Sequence, residues 1–259
     1  MIATLGPEGT YSHRASLEIC DDIVFYDSVH EIADSVSAGD VKGGVVPVEN
    51  SIEGSVNTTL DVLADYDVYV RKEILVEIHH ALISQSEGFD EIASHPQALA
   101  QCRSFLEAEY PDVHLRSVSS TAKGVEEARE DSDIAAIAHP DLASDGLEVV
   151  AEDIQDVAAN VTRFFYLTTE RYDEGGKTTV VVYPGNDRPG LLYDILGVFK
   201  ERGVNLTRIE SRPSKRELGD YVFHIDYEGG YDEEILEGLN DKVDWIKYLG
   251  SYETMRVSG

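Results

Sequence analysis

A threonine and an arginine stand side by side at the start of a short apolar run. Thr162 and Arg163 precede 164–167, four residues that favour a buried β-strand. A hydroxyl beside a fixed positive charge at a strand end suits binding of a small anion and donation of a hydrogen bond to it. The alternative is an edge strand in which Arg163 forms a structural ion pair. Taken alone, the ion pair is the more common use of such an arginine, so the rest of the chain must decide.

Three polar residues come directly after another predicted strand. Glu49, Asn50 and Ser51 follow the apolar run 42–48. The chain alternates strand and helix patterns here, which predicts a mostly parallel sheet. Ligands bind such sheets beyond the carboxyl ends of the strands, so the three side chains are candidates for a site. A turn followed by a helix cap would use the same residue types.

Predicted helix starts supply further hydrogen-bonding groups. The turn 6–12 opens a helix after a strand, and Ser120, Thr121 and Ala122 open another. Free N–H groups at such starts can hold an anion, although a plain strand–helix turn has the same sequence. The nucleotide signatures G-K-[ST] and G-x-G-x-x-G are absent from these turns.

One predicted helix carries a neutral hydrogen-bonding face. Gln97 and Gln101 lie four residues apart after Pro96, with Ser94 at the N-terminal end. This face suits a polar ligand, and the alternative is a solvent-exposed surface. His79 and His80 are adjacent on a predicted strand, so they face opposite sides and cannot share a metal ion.

The composition restricts the partners. The 259 residues include 50 acidic and 21 basic side chains, which gives a net charge of −29. Nucleic acid and anionic membranes are therefore not expected partners, because phosphate binding needs clustered Lys and Arg. The acid is spread along the whole chain, which leads to the hypothesis that the protein is adapted to high salt. With no apolar run near eighteen residues and only Cys20 and Cys102 as cysteines, we expect a soluble cytoplasmic protein with reduced thiols.

The order of the predicted elements indicates an α/β chain with three parts. Residues 1–78 with 160–169 form one lobe and residues 79–159 a second, joined by two extended crossings, as in periplasmic-binding-protein-like domains. A cleft then lies between the lobes, with Thr162 on the returning strand. Residues 170–177 read as a linker. Residues 178–259 follow the βαββαβ order of a ferredoxin-like domain, with the last strand predicted over 243–252.

Seven segments together resemble prephenate dehydratase with a C-terminal ACT domain. They occur in the order of that family and cover nearly the whole chain. The segments are Gly6–Ser12, Val46–Ser51 with Glu53–Ser55, Ser94–Cys102, Ser120–Ala122, Asn160–Phe164, Arg188–Leu192 and Asn205–Pro213. Departures from the family pattern are mild: Tyr11 stands where Phe is usual, and Gly124 where Ala is common.

The resemblance implies conversion of prephenate to phenylpyruvate with loss of carbon dioxide and water, driven by aromatisation and without cofactor or metal. It implies that Thr162 assists departure of the ring hydroxyl, with Glu49 as a relay carboxyl and Arg163 neutralising a substrate carboxylate. The expected substrate-binding residues are Thr10, Tyr11, Ser12, Asn50, Ser51, Ser94, Gln97, Gln101, Ser120, Thr121, Ala122 and Phe164.

The resemblance also implies that phenylalanine binds between two ACT domains as an effector, in a homo-oligomer (dimer or tetramer). The expected effector residues are Gly190, Leu191, Leu192, Asn205, Leu206, Glu210, Ser211, Arg212 and Pro213. Two alternatives stay open at this point: an arogenate dehydratase, and a non-catalytic phenylalanine-sensing protein. A solute-binding protein would share the two lobes, but it predicts an export signal and no sensor domain.

Overall fold

The protein is described by a computed structural model that covers residues 1–185 and 188–257. The first lobe begins with eight elements: β1 (Ile2–Leu5), α1 (Tyr11–Leu17), β2 (Ile23–Tyr26), α2 (Val29–Ala38), β3 (Gly44–Asn50), β4 (Gly54–Ser55), α3 (Asn57–Asp65) and β5 (Tyr69–Glu77). The second lobe follows with β6 (Ala81–Ser84), β7 (Glu91–Ser94), α4 (Pro96–Gln101), α5 (Arg103–Glu109), β8 (His114–Ser117), α6 (Thr121–Glu130), β9 (Ile134–Ala138), a 3₁₀ turn (Pro140–Leu142) and β10 (Glu148–Ala151).

The chain then returns to the first lobe and continues into the third unit. The remaining elements are β11 (Val161–Thr168), β12 (Lys177–Tyr183), α7 (Leu191–Glu201), β13 (Leu206–Pro213), β14 (Tyr221–Glu228), α8 (Glu233–Asn240) and β15 (Trp245–Val257). The predicted α/β class with two lobes and a C-terminal ferredoxin-like domain is confirmed. No helix in the described ranges is long and apolar enough to cross a bilayer.

Helix α2 shows how local sequence sets these elements. Ser28 accepts a hydrogen bond from the backbone N–H of Glu31, and the Glu31 side chain accepts from the Ser28 N–H. This capping box satisfies two donors that the first turn leaves unpaired. Gly39 ends the helix with φ of 77°, a left-handed conformation that glycine adopts at little cost.

Strand β11 sits in the centre of the first lobe's sheet. It pairs antiparallel with β3 on one side and with β5 on the other. In this register Thr162 lies opposite Asn50, and Arg163 lies opposite Glu49. Strand β3 extends to Asn50, so Glu49 and Asn50 belong to the strand itself, whereas the sequence placed them after it. Their side chains therefore point to opposite faces of the sheet.

The ferredoxin-like domain is joined to the first lobe by a continuous sheet. Its four strands run in the order β13-β14-β12-β15. The last strand continues past the domain, and residues 253–257 pair in parallel with 72–76 of β5. The sequence predicted that this strand ends at Tyr252. The extension occupies the edge of β5 that the first lobe leaves free, a pairing partner distant in sequence and invisible to local pattern.

The second face of the ferredoxin-like sheet packs against the first lobe. Helices α7 and α8 cover one face, over a core that includes Val180, Ile195 and Phe199. On the other face, Val181 and Tyr252 join the apolar core of the first lobe. The central strand β12 is thus buried on both sides, and the two domains share a core.

Candidate active site

A cavity of about 440 Å³ lies between the two lobes, at the carboxyl end of β3 and the start of β11. Ten of the residues expected to bind or transform the substrate line it: Thr10, Tyr11, Ser12, Asn50, Gln97, Gln101, Ser120, Thr121, Thr162 and Phe164. These ten residues come from five separate stretches of sequence and from both lobes.

Asn50 fixes the orientation of the Thr162 hydroxyl. The Asn50 Oδ1 accepts hydrogen bonds from the backbone N–H groups of Ile52 and Glu53, at 3.0 and 3.2 Å. The amide can therefore be oriented in only one way, and its Nδ2 donates to Thr162 Oγ1 over 2.9 Å. Because that oxygen accepts from Asn50, the hydroxyl hydrogen of Thr162 is free to be donated into the cavity.

A hydrogen-bonded chain continues from Asn50 to the second lobe. Asn50 Nδ2 also donates to Asn160 Oδ1 over 2.9 Å, and Asn160 Nδ2 donates to Gln101 Oε1 over 3.0 Å. His80 Nε2 lies 2.9 Å from the same Gln101 oxygen. Since that oxygen can only accept, His80 carries its proton on Nε2. Burial lowers the pKa of His80, which keeps the ring neutral.

Three helices begin at the cavity. Thr10 caps α1, His95 caps α4 and Ser120 caps α6, each by accepting a backbone N–H of the first turn. No lysine or arginine lines the cavity within the part of the chain that the structure describes. The favourable field for an anion therefore comes from N–H groups and hydroxyls at the helix starts.

Arg163 lies on the opposite face of the sheet from this cavity. Its side chain is buried and forms ion pairs with Glu73 and, at 2.5 Å, with Asp226 of β14. It also donates to the Tyr252 hydroxyl over 3.1 Å. This corrects the expectation that Arg163 neutralises a substrate carboxylate. Neighbouring residues on a strand face opposite ways, so Thr162 and Arg163 cannot both reach the cavity.

Glu49 requires the same correction. It does not line the cavity, and its carboxylate lies 3.3 Å from Arg208 Nε and 3.6 Å from Arg163 Nη1. It therefore belongs to the ion cluster between the domains. The group behind Thr162 is instead Asn50, which follows Glu49 in the sequence and lies on the cavity face of β3, and it orients the hydroxyl by a hydrogen bond.

Three further expected residues support the cavity from behind. Ser51 donates to the Ala159 carbonyl and accepts from the Val161 N–H, which ties the two strand ends together. Ser94 is buried and donates to the Ile137 carbonyl over 2.6 Å. Ala122 is buried on α6. None of the three lines the cavity, which corrects their assignment as direct contacts.

Several lining residues were not predicted. They include Gly6, Glu53, Ser55, His80, His95 and Ser119. Ser55 and His95 lay within the segments that carried the resemblance, so a signal for them existed. His80 was weighed only as a metal ligand beside His79. Its role as a hydrogen-bond donor to Gln101 depends on a contact between residues 21 positions apart.

The expected effector residues divide into two groups. Gly190, Leu191 and Leu192 line a cavity of about 200 Å³ at the start of α7, together with Tyr221 and Phe223. The residues of the 205–213 segment do not line this cavity. Asn205, Ser211 and Pro213 are exposed, and Leu206 packs under the helices.

The side chains of Glu210 and Arg212 face the first lobe. Glu210 accepts from the Ser55 hydroxyl over 3.0 Å, and Arg212 donates to Asp61 over 3.1 Å. This corrects their assignment as phenylalanine contacts, because the strand directs them away from the exposed face that carries Ser211.

Comparison with known proteins identifies the family. Residues 2–172 match the family described as prephenate dehydratase. The chain belongs to the prephenate dehydratase family. Residues 179–229 match the ACT domain, which agrees with the ferredoxin-like unit. Family membership makes the chain a carbon–oxygen lyase of the decarboxylating dehydratase type.

Named relatives cover nearly the whole chain. The prephenate dehydratase of Methanocaldococcus jannaschii is 39% identical over 95% of this chain and 95% of its own. The bifunctional chorismate mutase/prephenate dehydratase of Aquifex aeolicus is 41% identical over 97% of this chain and 73% of its own. A crystal structure of the Arthrobacter aurescens prephenate dehydratase in complex with L-Phe has a TM-score of 0.88 and 36% identity, covering 97% of this chain and 89% of that one.

Proposed function

We propose that the cavity between the lobes converts prephenate to phenylpyruvate, with Thr162 as the catalytic residue. The observation that carries this proposal is the Asn50–Thr162 hydrogen bond, which leaves the Thr162 hydrogen free at the cavity wall. Phenylalanine biosynthesis is the pathway that this reaction serves.

The step of the reaction that needs assistance is cleavage of the bond between the ring carbon and its hydroxyl oxygen. As the ring carboxylate leaves as carbon dioxide, its bonding electron pair enters the ring and expels the hydroxyl group, which departs as water after gaining a proton that comes ultimately from solvent. Thr162 donates a hydrogen bond to that hydroxyl and stabilises the charge that develops on it. A threonine hydroxyl is a weak acid, so stabilising this charge, rather than complete proton transfer from Thr162, is its main contribution.

The substrate carboxylates are held without a cationic side chain. The starts of α1, α4 and α6 converge on the cavity and present backbone N–H groups and the hydroxyls of Ser120 and Thr121. These fixed dipoles suit a dianion in a molecule whose overall charge of −29 repels it. Gln97 and Gln101 then orient the ring by neutral hydrogen bonds.

The ACT domain is proposed to bind phenylalanine and to join chains. The cavity at the start of α7 offers Gly190 and the free N–H groups of a helix start beside the rings of Tyr221 and Phe223. Apolar side chains near it are exposed: Leu192 at 40%, Ile209 at 41% and Tyr221 at 42%. Strand β13 is also the edge of its sheet. Edge pairing with a second copy, as a dimer or tetramer, would cover this surface.

The surface charge supports the proposal that the protein functions in concentrated salt. With 50 acidic and 21 basic residues, repulsion destabilises the compact state unless ions screen it. We place the protein in the cytoplasm, where the free thiols Cys20 and Cys102 stay reduced. Unfolding temperature measured against salt concentration tests the adaptation to concentrated salt, and full stability in dilute buffer would contradict that adaptation.

A direct assay tests the proposed function. Purified protein in concentrated salt is incubated with prephenate, and phenylpyruvate is followed with and without phenylalanine. Parallel incubation with arogenate, which carries an amino group in place of the keto group, tests the substrate choice. Turnover of prephenate that changes on addition of phenylalanine is expected, and absence of turnover for both substrates would contradict the proposal.

A further inference from the structure

The wall of the catalytic cavity is bound directly by the ACT domain. Ser55 lines the cavity, and its hydroxyl accepts a hydrogen bond from Arg208 Nη2 over 2.6 Å. The same hydroxyl donates to the Glu210 carboxylate over 3.0 Å. The hydrogen of the Ser55 hydroxyl and one of its lone pairs are thus both engaged by strand β13 of the ACT domain, and no donor remains for a ligand.

Helix α3, which follows this wall, is held along its whole length by the same domain. Asp61, on the middle of the helix, pairs with Arg212 at 3.1 Å and with Lys215 at 2.9 Å. At the C-terminal end, Lys247 of β15 donates to the backbone carbonyl of Tyr66. The ACT domain therefore contacts Ser55 just before α3, Asp61 in the middle of the helix and the Tyr66 carbonyl just after its last residue.

Strand β13 presents different residues on its two faces. Arg208, Glu210 and Arg212 point toward the first lobe, where they are half-buried. The alternate residues Ile209 and Ser211 are exposed on the other face, and Ser211 is one of the expected effector residues. Because side chains of one strand alternate on a common backbone, a shift of β13 on the effector side displaces the residues that hold Ser55.

We propose that Arg208 and Glu210 are positioning residues for the catalytic cavity and that phenylalanine acts on turnover through their contact with Ser55. The inference rests on the proposed phenylalanine response. Ligand in the cavity at the start of α7 contacts Tyr221 and Phe223 of β14, which pair with β13, and so favours one position of β13. The position of β13 in turn sets that of Ser55 and the start of α3. Neither Arg208 nor Glu210 touches the substrate.

The arrangement makes Ser55 the point at which the two sites communicate. Glu210 and Arg208 carry opposite charges 3.8 Å apart, so they hold the hydroxyl from both sides as one unit. Removing Ser55 Oγ or the Glu210 carboxylate breaks the same contact from either domain. Variants at the two positions are therefore expected to be non-additive, the double variant resembling each single one.

The test uses the full-length chain with Ser55→Ala, Glu210→Ala and the double variant. Thr207→Ala, on the exposed face of the same strand, is the matched control. Calorimetry measures the Kd of phenylalanine, with and without saturating phenylpyruvate as a ligand of the cavity. Activity with prephenate is measured with and without phenylalanine, and unfolding temperatures confirm that each variant is folded.

We expect each Ser55 and Glu210 variant to bind phenylalanine with a Kd within about twofold of the parent chain. The coupling between the two ligands, about 5–150-fold in typical allosteric proteins, should fall toward onefold. The control should keep the coupling of the parent. Retained coupling in both single variants would overturn the proposal. Loss of phenylalanine binding in Glu210→Ala would also overturn it, since Glu210 would then belong to the effector site.

These outcomes are separate from failure of the proposed function. A parent chain that does not convert prephenate, or does not respond to phenylalanine, contradicts the proposed function. A parent chain that responds, with Ser55 and Glu210 variants that respond equally, contradicts the positioning role alone.

Discussion

Asn50 donates a hydrogen bond to Thr162 across two neighbouring strands, over 2.9 Å, and thereby decides where the Thr162 hydrogen points. We predict that Asn50→Asp lowers kcat by about 10²-fold, a loss typical of a displaced catalytic group. The carboxylate has the same shape, but it accepts the Thr162 hydrogen and turns it away from the cavity. Steady-state assay with prephenate measures the effect.

The control for this variant is Ser51→Ala. Ser51 is the next residue along, but it bonds only the backbone at Ala159 and Val161 and does not line the cavity. We expect it to retain most of its kcat. Equal turnover of Asn50→Asp and the parent chain would show that the orientation of Thr162 is set by something else.

We predict that Arg163 stabilises the folded state and does not bind the substrate. Arg163→Met removes the ion-pair partner of the buried Asp226 and one of the two cations beside Glu73, which keeps Lys177; this should cost about 3–5 kcal/mol in the free energy of unfolding. In folded protein the KM for prephenate should change little. Denaturant unfolding in concentrated salt and steady-state kinetics measure the two quantities.

The matched control is Arg103→Met, which removes an exposed arginine paired with Glu107. Such surface pairs contribute little, so its stability should equal that of the parent chain. A large rise in KM for Arg163→Met, with normal stability, would contradict this prediction and show that Arg163 binds the substrate.

Thr162 and Arg163 together show which features of the site can be predicted from the sequence and which cannot. Residue types and order were sufficient to predict two lobes, a cleft and Thr162 on the returning strand. They could not decide which of two adjacent side chains faces the cleft, because that depends on register with β3 and β5. Arg163 therefore received a role in catalysis that its packing against Asp226 excludes.

Pairing between residues distant in sequence accounts for the other differences between the sequence-based predictions and the structure. The final strand was predicted to stop at Tyr252, and nothing local reveals that residues 253–257 add to the edge of β5. The hydrogen bond between His80 and Gln101 is equally non-local. By contrast, the start of α2 at Ser28 depends only on a capping box with Glu31, three residues along the chain.

Acid should weaken the interface between the domains. Burial alone would raise the pKa values of Glu73 and Asp226, but Arg163 beside both carboxyls lowers them below their ordinary range. A lowered pKa in the folded state contributes stability that is complete above the unfolded pKa, about 4, and lost as the pH falls through the folded value. The free energy of unfolding should therefore decrease below about pH 4.

Asp226→Asn provides the comparison. It removes one of the two titrating carboxyls, so its stability should be lower at pH 7 and fall less steeply in acid. Denaturant unfolding at constant salt over pH 3–7 measures both curves. Parallel curves for the variant and the parent would contradict this account of the interface.

Gly124 permits close packing of α6 against the second lobe's sheet. A Cβ at this position would lie 2.5 Å from the carbonyl oxygen of Ala93. Gly124→Ala should therefore destabilise the protein by about 1–3 kcal/mol. It should also raise the KM for prephenate, because α6 starts at Ser120 and Thr121 on the cavity wall. Thermal unfolding and kinetics test this.

Gly197→Ala is the control for Gly124. Gly197 also lies within a helix, but a Cβ there meets no atom within 4 Å. Alanine should stabilise that helix by up to about 1 kcal/mol. The same stabilisation in Gly124→Ala would show that a Cβ at position 124 can be accommodated beside the Ala93 carbonyl, which would contradict the close packing of α6.

The measurement that tests the central claim most directly is the turnover of prephenate by Thr162→Ala. Loss of the only proposed group at the departing hydroxyl should lower kcat by about 10²–10⁴-fold with little change in KM. Thr162→Ser, which keeps the hydroxyl, should recover most of the rate. Near-normal turnover by Thr162→Ala would contradict the assignment of Thr162 as the catalytic residue.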